Sequence, residues 1–355
     1  MRKAFLFMNL ISLFFSCRAQ KKTSAQNNLA GFIQQKGDSL LQAEKVPGIF
    51  VGILNKGKRE YFSFGYAVPD EKNPFNAKTV FEAGSITKTF TAYLVESILR
   101  EKEIPDTNSI VHYLPDSVQS NKALRSITFL SLLNHTSGLP RLPENMPLLP
   151  TDMDPYRNYT EHDLFAYLKT AQPKPDGKSN YSNLGMALAG VLAQRISGKD
   201  FAHLLADYVY TPFGIQGQNL TQVKSQGYFE NEKVAFWKWN ALAPAGCIHA
   251  TAENMLTYLG KMSRPADAKS RAVIEQLLIP TASLSPAVRI GKAWHTFEQK
   301  GKPAIYWHNG GTYGFSTFAA FVKDTDQAVI IVVNQFNKNE VSDGLGITIM
   351  KKMLE

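Results

Sequence analysis

The sequence predicts an α+β fold, in which an antiparallel sheet is built from both ends of the chain and flanked by helices. Strand-like runs occupy residues 48–67, two strong strand signals occupy residues 302–336, and mostly helical patches separated by Pro- and Gly-rich loops fill residues 104–285. Strands at both termini with helices between them indicate one sheet that carries an inserted, mostly helical lobe. With 355 residues, 44% of them hydrophobic, the chain can bury a substantial core.

The first twenty residues have the pattern of a secretory signal peptide. Arg2 and Lys3 precede an apolar stretch of roughly a dozen residues, and small or polar residues follow it. This stretch is too short for a stable membrane span. Two processing routes remain open, namely cleavage after Ala19 and lipidation of Cys17 in the bacterial lipoprotein manner, which "FFSC" resembles. Either route leaves Cys247 as the one thiol, so no intramolecular disulfide is expected.

After a polar lead-in at residues 21–40, residues 41–355 are expected to form the folded domain. The runs "GIFVGIL" and "REYFSFGYA" flank the turn signal "NKGK" and predict a hairpin. The segment "NLGMALAGVLAQRISG" predicts a helix that ends at Gly198. Near the C-terminus, two strands are predicted around the turn "KDTDQ", followed by a helix from Ser342 to Leu354.

Charge and composition narrow the classes of ligand. The formal net charge is +9, but the basic residues are scattered and occur only as short doublets, which indicates a solvated basic surface. An exported chain of this kind is not expected to bind nucleic acid. The sequence determines neither whether the basic surface attracts an anionic cell-wall polymer nor the oligomeric state. The sequence contains no His-Glu-x-x-His and no closely spaced histidine pair, so no metal and no other cofactor are expected.

A serine and a lysine lie three residues apart in "TVFEAGSITKTFTAYLVESIL". Ser85 and Lys88 therefore occupy one face at the start of a predicted helix. A serine hydroxyl is a weak nucleophile and needs a base, and a lysine serves as one only where burial or charge lowers its pKa. The alternative is an ordinary helix start with an exposed lysine.

Two further segments carry polar residues beside apolar elements. In "KSNYSNLGMALAG", Tyr181 and Asn183 lie on a loop that opens a helix, where a phenol and an amide can face a cleft. In "IYWHNGGTYGFSTFAAF", a strand pattern is interrupted by a His-Asn-Gly-Gly run, residues 308–311. Glycines weaken a strand unless something approaches the backbone closely, and the amides of Gly311 and Ser85 can form a two-donor oxyanion hole. A glycine bulge with a packed histidine is the alternative.

In this order the three elements resemble the serine β-lactamase and penicillin-binding protein superfamily, in the branch of class C β-lactamases, D-alanyl-D-alanine carboxypeptidases and related esterases. The stretches "ITFLSLLNHTSGLP" and "APAGCIHATAENMLTYL" are also similar to that branch, and the similarity covers roughly residues 45 to 335. The resemblance implies a β-lactamase/transpeptidase-like fold and an acyl-enzyme mechanism.

The resemblance also implies a role for each site residue. Ser85 would be the acylated nucleophile, and Lys88 with Tyr181 would share its proton as base and later as acid. Asn183 would hydrogen-bond Lys88 and the substrate amide. The substrate-binding positions on the edge strand would be His308, Asn309, Gly310 and Gly311.

The chain departs from the class C pattern where that class has lysine and threonine. Here His308 and Asn309 stand in their place, and an imidazole is mostly neutral above its ordinary pKa of about 6.5. Recognition of a substrate carboxylate is therefore less assured. Cys247 stands where relatives commonly have a glycine, and we expect a buried small residue there, with a reactive thiol as the alternative.

The functional hypothesis is an exported, periplasmic serine hydrolase that hydrolyses β-lactams or cleaves D-Ala peptides, either free or attached to a membrane by lipid on Cys17. A hydrolase of small esters or D-amino-acid amides is the alternative within the enzyme class. The alternative from another class is a penicillin sensor or cell-wall interaction protein that is acylated and does not turn over.

Overall fold

The computed structural model describes residues 29–147, 149, 151–215, 217, 222–285, 287–298 and 300–355. The helices are α1 (residues 29–44), α2 (Thr87–Glu101), α3 (Asp116–Gln119), α4 (Phe129–Leu133), α5 (Glu161–Leu168), α6 (Asn183–Ser197), α7 (Phe201–Leu205), α8 (Thr211–Phe213), α9 (Ala252–Ser263), α10 (Ala268–Leu278) and α11 (Asn339–Met353). The strands are β1 (Gly48–Asn55), β2 (Lys58–Gly65), β3 (Phe81–Glu82), β4 (Gly227–Phe229), β5 (Glu232–Val234), β6 (His249–Ala250), β7 (Ala282–Ser285), β8 (Val288–Ile290), β9 (His295–Phe297), β10 (Ile305–Gly311), β11 (Ser316–Val322) and β12 (Gln327–Val333).

Eight strands form one antiparallel sheet in the order β2-β1-β12-β11-β10-β9-β8-β7. The first strands of the chain meet the last one directly, since β1 pairs with β12 from Ile49 opposite Val333 to Asn55 opposite Gln327. The α+β fold with a sheet built from both chain ends is therefore confirmed.

The predicted hairpin is β1 and β2, joined by a two-residue turn. Asn55 pairs with Lys58, and the turn residues Lys56 and Gly57 have φ angles of 52° and 82°. Positive φ at both turn positions suits the right-handed twist of two strands, and glycine adopts it without strain.

The central strands are buried on both faces, and their side chains alternate between two cores. Along β12, Val329, Ile331 and Val333 pack in a core with α1 and α11, whereas Ile330 and Val332 pack in the larger core with the helical lobe. This explains the nearly continuous apolar run "AVIIVV" in place of an apolar-polar alternation, because neither face of the strand meets water.

The helical lobe holds α2 to α10 together with the short strand pairs β3–β6 and β4–β5. The helix predicted to end at Gly198 is α6, and Gly198 caps it with φ of 70°. Strands β7 to β9, which were not predicted, extend the sheet from residue 282 onward, close to the lobe boundary expected at about residue 285. These strands are only three or four residues long and β7 is largely exposed, so they leave no clear apolar pattern in the sequence.

The two ends of the chain pack on one face of the sheet. The C-terminal helix was predicted from Ser342 and forms as α11, three residues earlier. Residues 29–40, assigned to a polar lead-in, instead belong to α1, which buries Leu29 and Ile33 against β1 and α11. Few apolar residues are needed for this contact, so the helix was hard to recognise from the sequence.

The predicted signal segment, with Cys17 and Ala19, lies outside the described residues. In the part of the chain that the structure describes, no helix combines the length and the apolar character that a membrane span requires.

Candidate active site

Ser85 lies in a tight turn between β3 and α2. A 3₁₀ turn covers Gly84–Ile86, and α2 begins at the next residue. Gly84 has φ of 54°, and a Cβ on it would lie 2.7 Å from the amide nitrogen of Gly311. Only glycine allows this close approach, which brings the end of β10 against the turn that carries Ser85.

Lys88 lies one helical turn after Ser85 and is fully buried. Its Nζ is 2.8 Å from Ser85 Oγ and donates a hydrogen bond of 2.6 Å to the carbonyl oxygen of Ala245. In the described chain, none of the ion pairs involves Lys88. Burial, aided by the positive charge of Arg141, lowers the pKa of Lys88 well below its ordinary range. A neutral amine within hydrogen-bond distance of Ser85 can accept the hydroxyl proton.

Tyr181 faces the same serine from the loop before α6. Burial raises the pKa of its phenol well above the usual value, opposed by a hydrogen bond with Ser85 and by the charge of Arg141. Lys88 Nζ lies 4.9 Å from the centre of the Tyr181 ring. Tyr181 is therefore protonated at neutral pH and can donate a proton, whereas Lys88 is the group ready to accept one.

Asn183 is the first residue of α6 and lines the same cavity. Among the described residues, Lys88 Nζ hydrogen-bonds to Ser85 Oγ and to the Ala245 carbonyl oxygen, and the predicted hydrogen bond to Asn183 is not formed. The side-chain oxygen of Asn183 is buried and has no hydrogen-bond partner among the residues that the structure describes. A buried acceptor left unpaired costs free energy, and a substrate N–H would satisfy it.

The glycines of the predicted edge strand are at the end of β10. Strand β9 pairs only with residues 305–307, so none of the described strands pairs with residues 308–311 on that side. A Cβ on Gly310 would lie 2.1 Å from the carbonyl oxygen of Ala83, so the strand touches the backbone just before Ser85. Asn339 donates to the Gly310 carbonyl oxygen over 2.9 Å and fixes the strand end.

The His308 side chain does not reach the cavity surface. It is buried, its Nδ1 lies 2.5 Å from the Asn309 carbonyl oxygen, and its ring stacks on His295 with a centroid distance of 5.0 Å. Burial and the neighbouring His295 lower the pKa of His308 well below its usual value, so the imidazole is neutral. Asn309 lines the cavity and donates to Asp343 over 2.6 Å.

Three residues that were not singled out in the sequence also shape the site. His135 accepts a hydrogen bond from the Ser182 amide over 3.2 Å, and its ring centroid lies 4.6 Å from that of Tyr181. Glu82 is buried and accepts bonds of 2.7 Å from the Trp237 amide and from Thr312 Oγ1. Burial raises the pKa of Glu82 to about 7.

Glu82 thus ties the strand before Ser85 to two segments of the cavity wall. The signal for it was a single charge inside the apolar run "TVFEAG". The third residue is Arg141, whose guanidinium carbon lies 5.2 Å from the centre of the Tyr181 ring.

These residues surround a cavity of about 640 Å³. Its wall is mostly aromatic and amide-bearing, with contributions from Tyr156, Trp237, Trp239, Trp307, Tyr313, Phe336, Asn309, Asn337 and Asn339. Tyr156 stacks on Trp239 at a centroid distance of 4.7 Å. The arrangement offers a flat apolar surface beside the serine and side-chain amides along β10 and α11.

Among the described residues, no cluster of histidine, cysteine, aspartate or glutamate side chains is arranged to hold a metal ion. Cys247 is half-buried rather than fully buried as expected, and it forms no disulfide with another described residue. Burial raises the pKa of its thiol to about 12, so the thiol is almost entirely protonated at neutral pH and lacks the thiolate of a reactive cysteine.

Comparison with known proteins shows that this chain is similar to β-lactamases and to a D-Ala carboxypeptidase. The family model described as Beta-lactamase matches residues 29–350. A β-lactamase of Escherichia coli (strain K12) is 24% identical over 337 residues, which cover 83% of this chain and 86% of that protein. The D-alanyl-D-alanine-carboxypeptidase/endopeptidase AmpH of the same strain is 22% identical and covers 94% of this chain and 92% of its own length. A β-lactamase of Pseudomonas fluorescens is 30% identical over 179 residues, and there the match spans 50% of this chain and 47% of the relative.

Solved structures are similar over nearly the whole fold. The β-lactamase/D-alanine carboxypeptidase from Pseudomonas syringae superimposes with a TM-score of 0.78 at 21% identity, covering 91% of this chain and 99% of that chain. A class C β-lactamase from Rhodobacter sphaeroides gives the same TM-score and coverage at 18% identity. The fold predicted from the resemblance is confirmed.

Proposed function

We propose that this chain, which belongs to the β-lactamase family of serine hydrolases, acts through an acyl-enzyme on Ser85. Its reaction would be the hydrolysis of β-lactams or the cleavage of D-Ala peptides. The observation that carries the proposal is the buried amine of Lys88, 2.8 Å from Ser85 Oγ and without a carboxylate partner among the described residues. Burial lowers the pKa of this amine well below its ordinary range, which favours the neutral form that can act as a base. A serine hydroxyl beside such a base is an activated nucleophile.

In the acylation step, Lys88 accepts the proton of Ser85 while Oγ attacks the substrate carbonyl carbon. The negative charge that develops on the carbonyl oxygen is stabilised by the backbone amides of Ser85 and Gly311. Tyr181 donates its phenolic proton to the leaving nitrogen and recovers a proton from Lys88. The carbon–nitrogen bond breaks, and an ester between Ser85 and the acyl group remains.

The substrate lies between two walls of the cavity. Residues 308–311 are free of a neighbouring strand on one side and offer backbone groups to an extended amide. On the opposite wall, the unpaired side-chain oxygen of Asn183 accepts the substrate N–H. In deacylation, water takes the position of the leaving group, attacks the ester carbonyl carbon and loses a proton to the same Lys88–Tyr181 pair. The bond between that carbon and Ser85 Oγ then breaks, Oγ takes the proton back from the pair, and the carboxylic acid leaves.

The hydrolysis of small esters or D-amino-acid amides is the second candidate function. It is favoured by His308, whose neutral, buried imidazole supplies no positive charge where class C enzymes have a lysine. An ester without a carboxylate would not need that charge.

The test is intact-mass spectrometry of the protein mixed with a fluorescent penicillin and, separately, with an activated ester, sampled from seconds to hours. Ser85→Ala is compared with Ser117→Ala, an exposed serine on α3. We expect an adduct that Ser117→Ala keeps and Ser85→Ala loses. An adduct that decays with release of product indicates a β-lactamase, one that persists indicates a carboxypeptidase or sensor, and labelling by the ester alone indicates the second candidate. Equal labelling of Ser85→Ala would refute the nucleophile assignment.

We further propose that the chain is exported, on the basis of the signal-like residues 1–20. Cell fractionation and the mass of the mature N-terminus, measured with and without Cys17→Ala, separate lipid attachment from simple cleavage. Recovery of the uncleaved chain in the cytoplasm would contradict export.

A further inference from the structure

Arg141 is the one charged side chain among the described residues that line the cavity. Two carboxylates outside the lining accept hydrogen bonds from residues of the wall: Glu82 from Trp237 and Thr312, and Asp343 from Asn309. A substrate that enters the cavity therefore meets a single formal charge, and that charge is positive.

The backbone of Arg141 is held firmly against α6. Its carbonyl oxygen accepts hydrogen bonds from the amides of Asn183 over 3.0 Å and of Leu184 over 3.3 Å. The preceding carbonyl oxygen, of Pro140, accepts from Ser182 Oγ over 2.7 Å. These bonds fix the position of the Arg141 backbone relative to Tyr181.

The guanidinium itself is exposed and available. It lies over the Tyr181 ring at 5.2 Å from the ring centre, and none of the ion pairs of the described chain includes it. A planar guanidinium presents a fork of donors that matches a carboxylate. Bound substrate would displace water from this rim and strengthen the interaction.

From this geometry we infer that Arg141 determines specificity by binding a carboxylate of the substrate, and the inference rests on the proposed function. The lysine of class C enzymes is replaced by His308, which is buried and neutral. The positive charge for an anionic substrate therefore comes from Arg141, in the loop that packs against the start of α6, rather than from β10. Arg141 is therefore a substrate-contacting residue that belongs to this chain's own site.

The experiment uses two pairs of substrates that differ only in a carboxylate. One pair is para-nitrophenyl hydrogen glutarate with para-nitrophenyl valerate, and the other is benzylpenicillin with its methyl ester. For the anionic member of at least one pair, Arg141→Ala is expected to lower kcat/KM by about tenfold to hundredfold, mainly through KM. The uncharged member should change by less than about threefold. Arg141→Lys should restore part of the loss, because it retains the charge without the fork.

Arg271→Ala is the matched control, since Arg271 is an exposed arginine on α10 that is not part of the cavity wall. Ser85→Ala is measured alongside. Equal losses on both members of both pairs would overturn the inference and leave the proposed function standing, because Arg141 would then act only through the charge it places near Lys88. Hydrolysis and labelling that persist in Ser85→Ala, or that are absent in the wild type with all four probes, would instead overturn the proposed function and this inference with it.

Discussion

Two lysines are buried in the part of the chain that the structure describes, and their surroundings are opposite. Lys292, between β8 and β9, is 2% exposed, and its Nζ lies 2.6 Å from Glu96 Oε2 and 2.7 Å from Asp106 Oδ2. Lys88 is 0% exposed, and its polar neighbours are the Ser85 hydroxyl and the Ala245 carbonyl. Two carboxylates compensate one ammonium for its loss of water, whereas the other amine has no such compensation.

Burial alone therefore does not determine what a lysine does. A buried lysine with carboxylate partners forms ion pairs that hold elements together, and here they join α2 and the segment after it to the sheet. A buried lysine without them is more stable as a neutral amine, which is a base. In the described chain, Lys88 can act as a base because no carboxylate pairs with it, and no additional chemical group is needed.

The largest effect is expected from Lys88→Met, which replaces the amine by an apolar side chain of similar length. Acylation requires the base, so kcat/KM should fall by about a thousandfold or more. Thermal stability should be kept or raised, because a desolvated amine without an ion-pair partner is removed. In the wild type, kcat/KM should rise with pH on the acidic side as Lys88 loses its proton.

The measurements are steady-state kinetics across pH and thermal unfolding of the same samples. Lys88→Arg is the companion variant, since a guanidinium stays protonated and should be as inactive as methionine. Substantial activity in either variant would contradict the role of Lys88 as the base.

Lys292→Met should show the reverse behaviour. Removal of the lysine leaves the buried Glu96 with Arg100, 4.0 Å away, as its remaining cation and brings it close to the charge of Asp106, which should lower the free energy of unfolding by about 3 kcal/mol. At a temperature where the variant is folded, kcat/KM should change by less than about threefold. Denaturant unfolding and kinetics of the same preparation test both statements, and a loss of activity without a loss of stability would break the comparison.

Glu82 extends the comparison to an acid, because it too is buried without an opposite charge among the described residues. Its folded pKa of about 7 lies above the ordinary value of 4.5, so the folded state holds the proton more tightly than the unfolded state does. The stability that this group contributes is complete below the ordinary pKa and is lost as pH rises through the folded pKa.

Glu82→Gln keeps the shape and removes the titration. Relative to the wild type, its free energy of unfolding should therefore improve between pH 4.5 and pH 7, by up to about 3 kcal/mol for a shift of this size. Denaturant titrations at several pH values measure the difference. A constant difference across this window would show that Glu82 is ionised in the folded protein.

The sequence predicts those parts of the fold and the site that depend on interactions between residues close in the chain. The hairpin at Lys56 and Gly57, the helix that ends at Gly198 and the pairing of Ser85 with a lysine one turn later each depend on residues that are neighbours in the chain. The resemblance of three motifs to the β-lactamase superfamily then identified Tyr181 as a candidate site residue. Strands β7 to β9 escaped prediction, because their short and exposed sequences carry little hydrophobic pattern.

By itself, then, the sequence determined the fold class, the family and the residues that can carry the chemistry, since periodicity, turn residues and motif order are local properties. Only the tertiary structure determined the hydrogen-bond partners, the burial and the charge states of these residues. It gave Lys88 the carbonyl of Ala245 as its partner instead of Asn183, buried His308 behind the cavity wall, and placed Arg141 over Tyr181. Residues 88 and 245 are 157 positions apart in the chain. A charge state depends on desolvation and on such distant neighbours, and these exist only once the lobe has packed against the sheet.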